Sequence, residues 1–294
     1  MKWIEWRPKR SALKWLSTKG SVSDMPELPE VETIRAGLAP LISGHAFEDV
    51  IIRQHRLRYP VPADLVTQVR GRSILDLQRR GKYLLLQVEE GTVLIHLGMS
   101  GSLRFVTTAR PAERHDHVDF ILDHGILRYR DPRRFGLVLW QSASAGLHSL
   151  LQKLGPEPLG DDFTPAYLAN KARGSKRAIK NFIMDSKVVV GVGNIYANEA
   201  LFLARIHPQR PAESLVKDEW NELHRNIVAV LRAGIKAGGT TLQDFVDGNG
   251  NPGYFQQQLL VYGRDNAPCP VCGEVLHKQV IGQRSTWFCS RCQK

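Results

Sequence analysis

All four cysteines of the chain lie in its last 26 residues, at Cys269, Cys272, Cys289 and Cys292. The pattern is C-x2-C, sixteen residues, then C-x2-C, which is the four-thiolate zinc template. Each close pair lets one tight turn present two sulfurs to one tetrahedral ion. Four thiolates close the coordination shell, so the one expected Zn2+ is structural and leaves no open position for catalysis. A redox dithiol would need only one pair, in a βαβ setting. No cysteine remains elsewhere for a disulfide framework, and a reducing cytoplasm is the expected compartment. The residues between the pairs predict a metal-clamped β-hairpin bearing Gln283-Arg284-Ser285-Thr286. Arg284 at such a turn is either a solvated arginine or a phosphate contact, and the basic chain favours the phosphate.

Upstream, the hydrophobic texture changes twice. Val31, Ile34, Leu38 and Leu41 recur at helical spacing and predict a helix over 30–43. From about 46 to 141 short β-type runs follow, such as Val50-Ile51-Ile52, Leu84-Leu85-Leu86, Val93-Leu94-Ile95, Val118–Leu122 and Leu137–Trp140. Turn glycines separate them, which predicts an antiparallel sandwich or barrel. After Gly155-Pro156-Glu157-Pro158 the texture is helical, with candidates over 164–172, 176–185, 194–204 and 213–237. Residues 238–255 are rich in Gly, Asn, Asp and Thr and predict a long loop, a length that is often functional. The expected class is α+β and multidomain. Residues 25–155 form a β-sandwich with an N-terminal helix, 156–258 a helical domain with the loop 238–255, and 259–294 the cysteine hairpin.

Lysine and arginine exceed aspartate and glutamate by 40 to 29 over 294 residues, a net charge of +11. A polyanionic partner, most simply nucleic acid, fits this balance. No run of 18 apolar residues is present, so no membrane span is expected. Residues 1–24 hold Lys2, Arg7, Lys9, Arg10, Lys14 and Lys19 against Glu5 and Asp24. They lack the apolar stretch and cleavage site of a secretory signal, and their tryptophans and Glu5 fit a transit peptide poorly. They are expected to be upstream sequence translated from a misplaced start.

Behind Met25 stands Pro26-Glu27-Leu28-Pro29-Glu30-Val31-Glu32. One reading is an ordinary helix start, with proline and acidic residues in the first turn. The other is catalytic. A proline at a true N-terminus carries a secondary amine able to attack an aldehyde-like carbon and form an iminium. An acylated proline has no such nitrogen. Residues 1–24 are then either removed or disabling.

Further strings have readings of both kinds. Gly191-Val192-Gly193-Asn194 opens a helix whose N-terminus, with Lys180 on the preceding helix, could hold a phosphate; Asn194 as a simple N-cap is compatible with this. Lys82 follows the turn in Arg79-Arg80-Gly81-Lys82 and alone would be solvated. Met99, in His96-Leu97-Gly98-Met99-Ser100-Gly101, and Phe135, in Asp131-Pro132-Arg133-Arg134-Phe135-Gly136, stand at turn tips. Each alone reads as core; together they suit a wedge into a duplex from which a base has been extracted. His115, His117 and Asp119 would share a strand face, but a metal there is disfavoured for want of further partners.

From residue 25 to 294 these motifs, in this order, resemble the formamidopyrimidine-DNA glycosylase family. The resemblance implies a bifunctional glycosylase and AP lyase that removes oxidised purines from duplex DNA. It implies a helix–two-turns–helix element around Gly191–Asn194 and a lesion-covering role for the loop 238–255. The implied catalytic set is Pro26 as nucleophile, Glu27 as proton shuttle, Lys82 at the lesion, and Arg284. The implied DNA contacts are Met99, Arg133 and Phe135 in the vacated stack, with Arg133 reading the orphaned base, together with His115, Arg134, Lys180 and Asn194. The partner is double-stranded DNA carrying oxidised bases or abasic sites, and the protein is expected to be a monomer. The pyrimidine-preferring sister group usually lacks the Met–Arg–Phe set and opens Pro-Glu-Gly-Pro. A non-enzymatic zinc-ribbon DNA binder would explain the charge and the cysteines, but it leaves Pro26, Met99 and Phe135 without a role.

Overall fold

The computed structural model describes residues 25–107, 110–239 and 259–294. The expectations for residues 1–24 and for 240–255 of the long loop therefore lie outside the described residues.

Helix α1 (Leu28–Ile42) leads the fold. Glu27 precedes it in extended backbone, and its N–H donates to the Glu30 carboxylate at 3.0 Å. Pro29 falls in the first turn, where its missing N–H costs nothing. Val31, Ile34 and Leu38 are buried along one stripe, as the spacing predicted; Ile42 completes it, and the expected Leu41 is half-buried at its edge.

That stripe lies on a β-sandwich. In chain order come β1 (Phe47–Ile52), a short α2 (Leu65–Val69), β2 (Asp76–Arg80), β3 (Tyr83–Val88), β4 (Gly91–His96), β5 (Ser102–Val106), β6 (Asp116–Leu122), β7 (Gly125–Arg130) and β8 (Leu137–Ser142). They form two four-stranded sheets, β1-β6-β7-β5 and β2-β3-β4-β8, antiparallel throughout. Strands β2, β5 and β7 escape the hydrophobic pattern because arginines interrupt it. In β7, Arg128 is buried, and its Nε and NH2 each reach Asp119 at 2.8 Å. A buried arginine so paired occupies a core position that composition marks as surface.

The second half is helical: α3 (Ser149–Gln152), α4 (Pro165–Ala172), α5 (Ile179–Ile183), α6 (Asn194–Leu203) and α7 (Lys217–Lys236), then the hairpin of β9 (His277–Ile281) and β10 (Arg284–Phe288). Two predicted helices are shorter than expected. Ala178, in extended backbone, bridges to Pro211, so α5 starts only at 179. Residues 212–214 form a 3-10 turn, and α7 begins after Val216, whose N–H is capped by Glu219 at 2.9 Å.

Each half has its own apolar core, and α1 belongs to both. Leu28 packs with Ile195, Tyr196 and Leu231 of the helical part, whereas Val31 onward packs into the sandwich. Across the junction Glu157 accepts from Arg79 at 2.8 Å, from Arg80 at 2.9 Å and from the Gly81 N–H at 2.6 Å. Among the described residues no helix is long and apolar enough to cross a membrane.

Candidate active site

Glu27 sits at the seam of the two halves. Its side chain is buried against the N-terminus of α6 and accepts N–H groups from Gly193 at 2.7 Å, Ile195 at 2.8 Å and Tyr196 at 3.4 Å. Burial pushes its carboxyl up to about 7, and neighbouring Glu30 adds to the rise; the Lys82 charge and the backbone N–H groups oppose it. A carboxyl poised near neutrality can both give and take a proton. Glu30 holds the arrangement from behind, accepting the Glu27 N–H and the Tyr196 hydroxyl at 3.0 Å each.

This geometry corrects one expectation. The N-cap of α6 is Gly193, not Asn194, and the amides foreseen as a phosphate cradle are occupied by Glu27. Asn194 itself is buried, and its backbone carbonyl accepts from Asn198 at 2.6 Å. Gly193 is required for space: a Cβ there would stand 2.3 Å from the Glu27 carboxyl carbon. Gly193→Ala is therefore expected to displace the carboxylate and slow base excision about 10²-fold, the scale of a misplacement near 1 Å. Single-turnover excision measures it; an unchanged rate would show that Glu27 does not act from this position.

Pro26, half-buried, directly precedes Glu27. Lys82 lies within the β2–β3 turn itself, after Gly81 at φ +58°, and its charge is felt by both Glu27 and His96. Beside them opens a cavity of about 270 Å3, lined by Met25, Arg58, His96, Gly98, Met99 and Phe135. Two loops make its wall. Asp131 ties them, accepting from the Ser100 hydroxyl at 2.7 Å and from the Gly136 N–H at 2.8 Å. A Cβ on Gly98 would come within 2.5 Å of the Phe135 backbone. Phe135 is 47% exposed at the tip, and the Arg133 guanidinium lies 4.8 Å from its ring centre. Arg134 adopts φ +58° to turn the chain there.

Sequence reasoning missed Arg58 and His96 in this group. His96 accepts the Gly98 N–H at 2.9 Å; burial first, then the charges of Lys82 and Arg58, lower its pKa to about 4, so it is neutral. Its position at a strand end leading into Gly98-Met99 was the available signal. His115 is half-buried, and its carbonyl accepts the Asp131 N–H at 3.1 Å. Its neighbours are committed elsewhere: Asp119 to Arg53 and Arg128, and His117 Nε2 to the Asp131 carbonyl at 2.8 Å.

Lys180, expected as a phosphate contact, is held inside the protein. It is fully buried, and its Nζ donates to the Ser285 carbonyl at 2.9 Å and to Thr286 Oγ1 at 2.6 Å. Its ammonium props the hairpin that carries Arg284 instead of facing solvent. The hairpin tip is Gly282-Gln283, both at positive φ, and a Cβ on Gly282 would meet Asn181 at 2.4 Å. Half-buried Arg284 follows as the first residue of β10.

The cysteine sulfurs fit one zinc ion. Cys269–Cys292 and Cys272–Cys289 lie 3.9 and 3.6 Å apart, and all four sulfurs fall within 4.8 Å of one another. A tetrahedron with Zn–S near ~2.3 Å needs about 3.8 Å between sulfurs. These residues form the zinc site, and the ion's role there is to hold the hairpin.

Three family models match in succession: the formamidopyrimidine-DNA glycosylase N-terminal domain over 25–138, its H2TH domain over 154–246, and the zinc finger found in FPG and IleRS over 267–294. The formamidopyrimidine-DNA glycosylase of Methylococcus capsulatus is 55% identical over 271 residues, covering 92% of this chain and 100% of that one. The Hydrogenovibrio crunogenus glycosylase is 54% identical and is covered to 97%. Among solved structures, a Lactococcus lactis FPG mutant in complex with a Fapy-dG containing DNA superposes with TM-score 0.85 at 34% identity, covering 92% of this chain and 100% of that one. The Lactococcus lactis Fpg with an abasic site containing DNA gives 0.84 at 33% identity, covering 91% and 99%.

A two-sheet sandwich, a helical domain and a four-thiolate hairpin, joined around the buried carboxyl of Glu27, define with these matches a DNA glycosylase of the repair class. More narrowly, the chain belongs to the formamidopyrimidine-DNA glycosylase family.

Proposed function

We propose that the protein excises oxidised purines, 8-oxoguanine and formamidopyrimidines, from duplex DNA and then cuts the strand as an AP lyase. The observation that carries this reading is the pairing of Pro26 with Glu27, whose carboxyl is held near neutrality on the N-terminus of α6. The Pro26 nitrogen lone pair attacks the anomeric carbon C1′, and the glycosidic C–N bond breaks as the base leaves with a proton. The sugar ring then opens. Glu27 supplies the proton to the ring oxygen, and the nitrogen loses its own to complete the iminium. Loss of a C2′ proton expels the 3′ phosphate; a second elimination expels the 5′ phosphate, and water hydrolyses the iminium. In this reading Lys82, whose charge is felt at Glu27, stabilises negative charge on the lesion strand, and Arg284 on the hairpin contacts a backbone phosphate. Lys180 supports that contact through the hairpin.

Met99, Arg133 and Phe135 fill the stack left by the extruded base. The test compares duplexes bearing 8-oxoguanine, thymine glycol or no lesion. Cutting of the 8-oxoguanine strand with phosphate at both ends of the gap is expected. Preference for thymine glycol would move the chain to pyrimidine repair, and binding without cutting would leave it a DNA-binding module.

Arg133→Ala is expected to relax discrimination of the base opposite the lesion by ~1–3 kcal/mol, the worth of a good bidentate contact. Excision from 8-oxoguanine paired with each of the four bases measures this. If the ranking and spread stay as in the parent protein, Arg133 is not the reader.

A further inference from the structure

We propose that His45, Asp123 and His124 form a second divalent-cation site, on the outside of the sandwich and separate from the cysteine zinc site. Their three ligand atoms lie within 4.8 Å of one another. His45 Nδ1 stands 2.9 and 3.2 Å from the two Asp123 oxygens, and His124 Nδ1 stands 2.7 Å from Oδ1.

The orientation of His124 points to a cation. Its Nε2 lies 2.8 Å from the Leu41 carbonyl, which can only accept, so the ring proton belongs on Nε2. Nδ1 then presents a lone pair to a carboxylate oxygen at hydrogen-bonding distance. Two acceptors that close need a positive centre between them. A proton on His124 Nδ1 is one such centre, and a divalent ion is another. One divalent ion satisfies both nitrogens and the carboxylate, with the backbone bond at Nε2 orienting the ring as in established metal sites. Closure on the ion turns the His45 ring out of the stack, where the planes now meet at 27°.

A second observation is independent of the side-chain geometry. Leu41 belongs to the last turn of α1, a fifteen-residue helix with no basic residue in that turn. The negative end of the helix dipole is left to be met by a cation. The backbone is also firm on both sides. His45 follows Gly44 at φ +86° and its N–H bonds the Ile42 carbonyl; Asp123-His124 is the two-residue turn closing β6 to β7 at the Leu122–Gly125 pair. All three side chains are between a third and just over half exposed, which leaves room for waters to complete the coordination. Two imidazoles and one carboxylate suit Zn2+, Ni2+ or Cu2+ rather than Mg2+ or Ca2+. Bound there, the ion would clamp the C-terminal end of α1, the helix that carries Pro26 and Glu27 at its other end, to the β6–β7 turn.

The test titrates Zn2+ into full-length, tag-free protein already holding one equivalent at the cysteines, using calorimetry with a metal count. One further equivalent is expected, with Tm rising as Zn2+ is added, as mass action requires. His45→Ala and His124→Ala should each weaken the second site by at least about tenfold and keep the first equivalent. Asp123→Asn, which changes charge but hardly shape, should do the same. Uptake that stops at one equivalent, or a second equivalent retained at full affinity by these variants, overturns the proposal.

Discussion

Protein that begins at Pro26 is expected to form a borohydride-stable adduct with abasic-site DNA, and protein retaining residues 1–24 is expected to form none. The reason is electronic. The amide nitrogen of an acylated proline has its lone pair delocalised into the carbonyl and cannot attack C1′. An α-amino group titrates near ~8 and is partly neutral at physiological pH. The family match begins at Met25, one residue before this proline. Removal of Met25 from protein started there leaves the required amine. N-terminal sequencing of the trapped species should be blocked, because reduction leaves Pro26 a tertiary amine, whereas attack by a lysine would leave the terminus readable. If protein with residues 1–24 intact traps DNA efficiently, the nucleophile is elsewhere, and Lys82 is the first candidate. Both forms should bind abasic DNA comparably, which separates loss of chemistry from loss of fold.

Glu27→Gln is expected to slow excision by about 10²–10⁴-fold, the usual contribution of a positioned acid–base group, while leaving affinity for damaged DNA nearly intact. Glutamine has the same shape but cannot deliver a proton. The parent enzyme should show a bell-shaped pH profile. It needs Glu27 protonated, with a midpoint near about 7, and the amine deprotonated, with a midpoint near ~8. Activity then peaks between them, with macroscopic midpoints that belong to the pair. The stability sign runs the other way from a salt-bridged acid. The folded-state pKa of Glu27 is raised, so folding takes up a proton between the unfolded value near ~4.3 and about 7. Its favourable contribution is full below that window and is lost as pH rises through it. Glu27→Gln should remove this slope from the unfolding curve. A variant that excises at the parental rate, or a parent profile flat from pH 6 to 9, would remove Glu27 from the proton transfer.

The parts of the protein legible in its sequence were those that depend on local rules. The cysteine spacing specified a metal-bound hairpin because two tight turns carrying two thiolates each leave little else to build. The stripe on α1 and the apolar runs of β1, β3, β4, β6 and β8 followed from periodicity, since one face of each element is buried against its neighbours. The proposal of Pro26-Glu27 chemistry also came from sequence, because an N-terminal secondary amine has few other uses. Strands β2, β5 and β7 were not legible: their arginines reach carboxylates on other elements, as Arg128 reaches Asp119 and Arg79 reaches Glu32 and Glu157. Only the tertiary structure shows Lys180 buried as a prop for the hairpin, its Nζ on Thr286, 106 positions along the chain. It also buried Glu27 against the N-terminus of α6, 166 residues away, where desolvation lifts the carboxyl toward neutrality against the opposing pull of the amides. Spacing rules reach a few residues along the chain, whereas burial and pKa are set by whatever distant segments pack around a group. The residue types of this site were therefore local information, and their ionisation and orientation were decided by the fold.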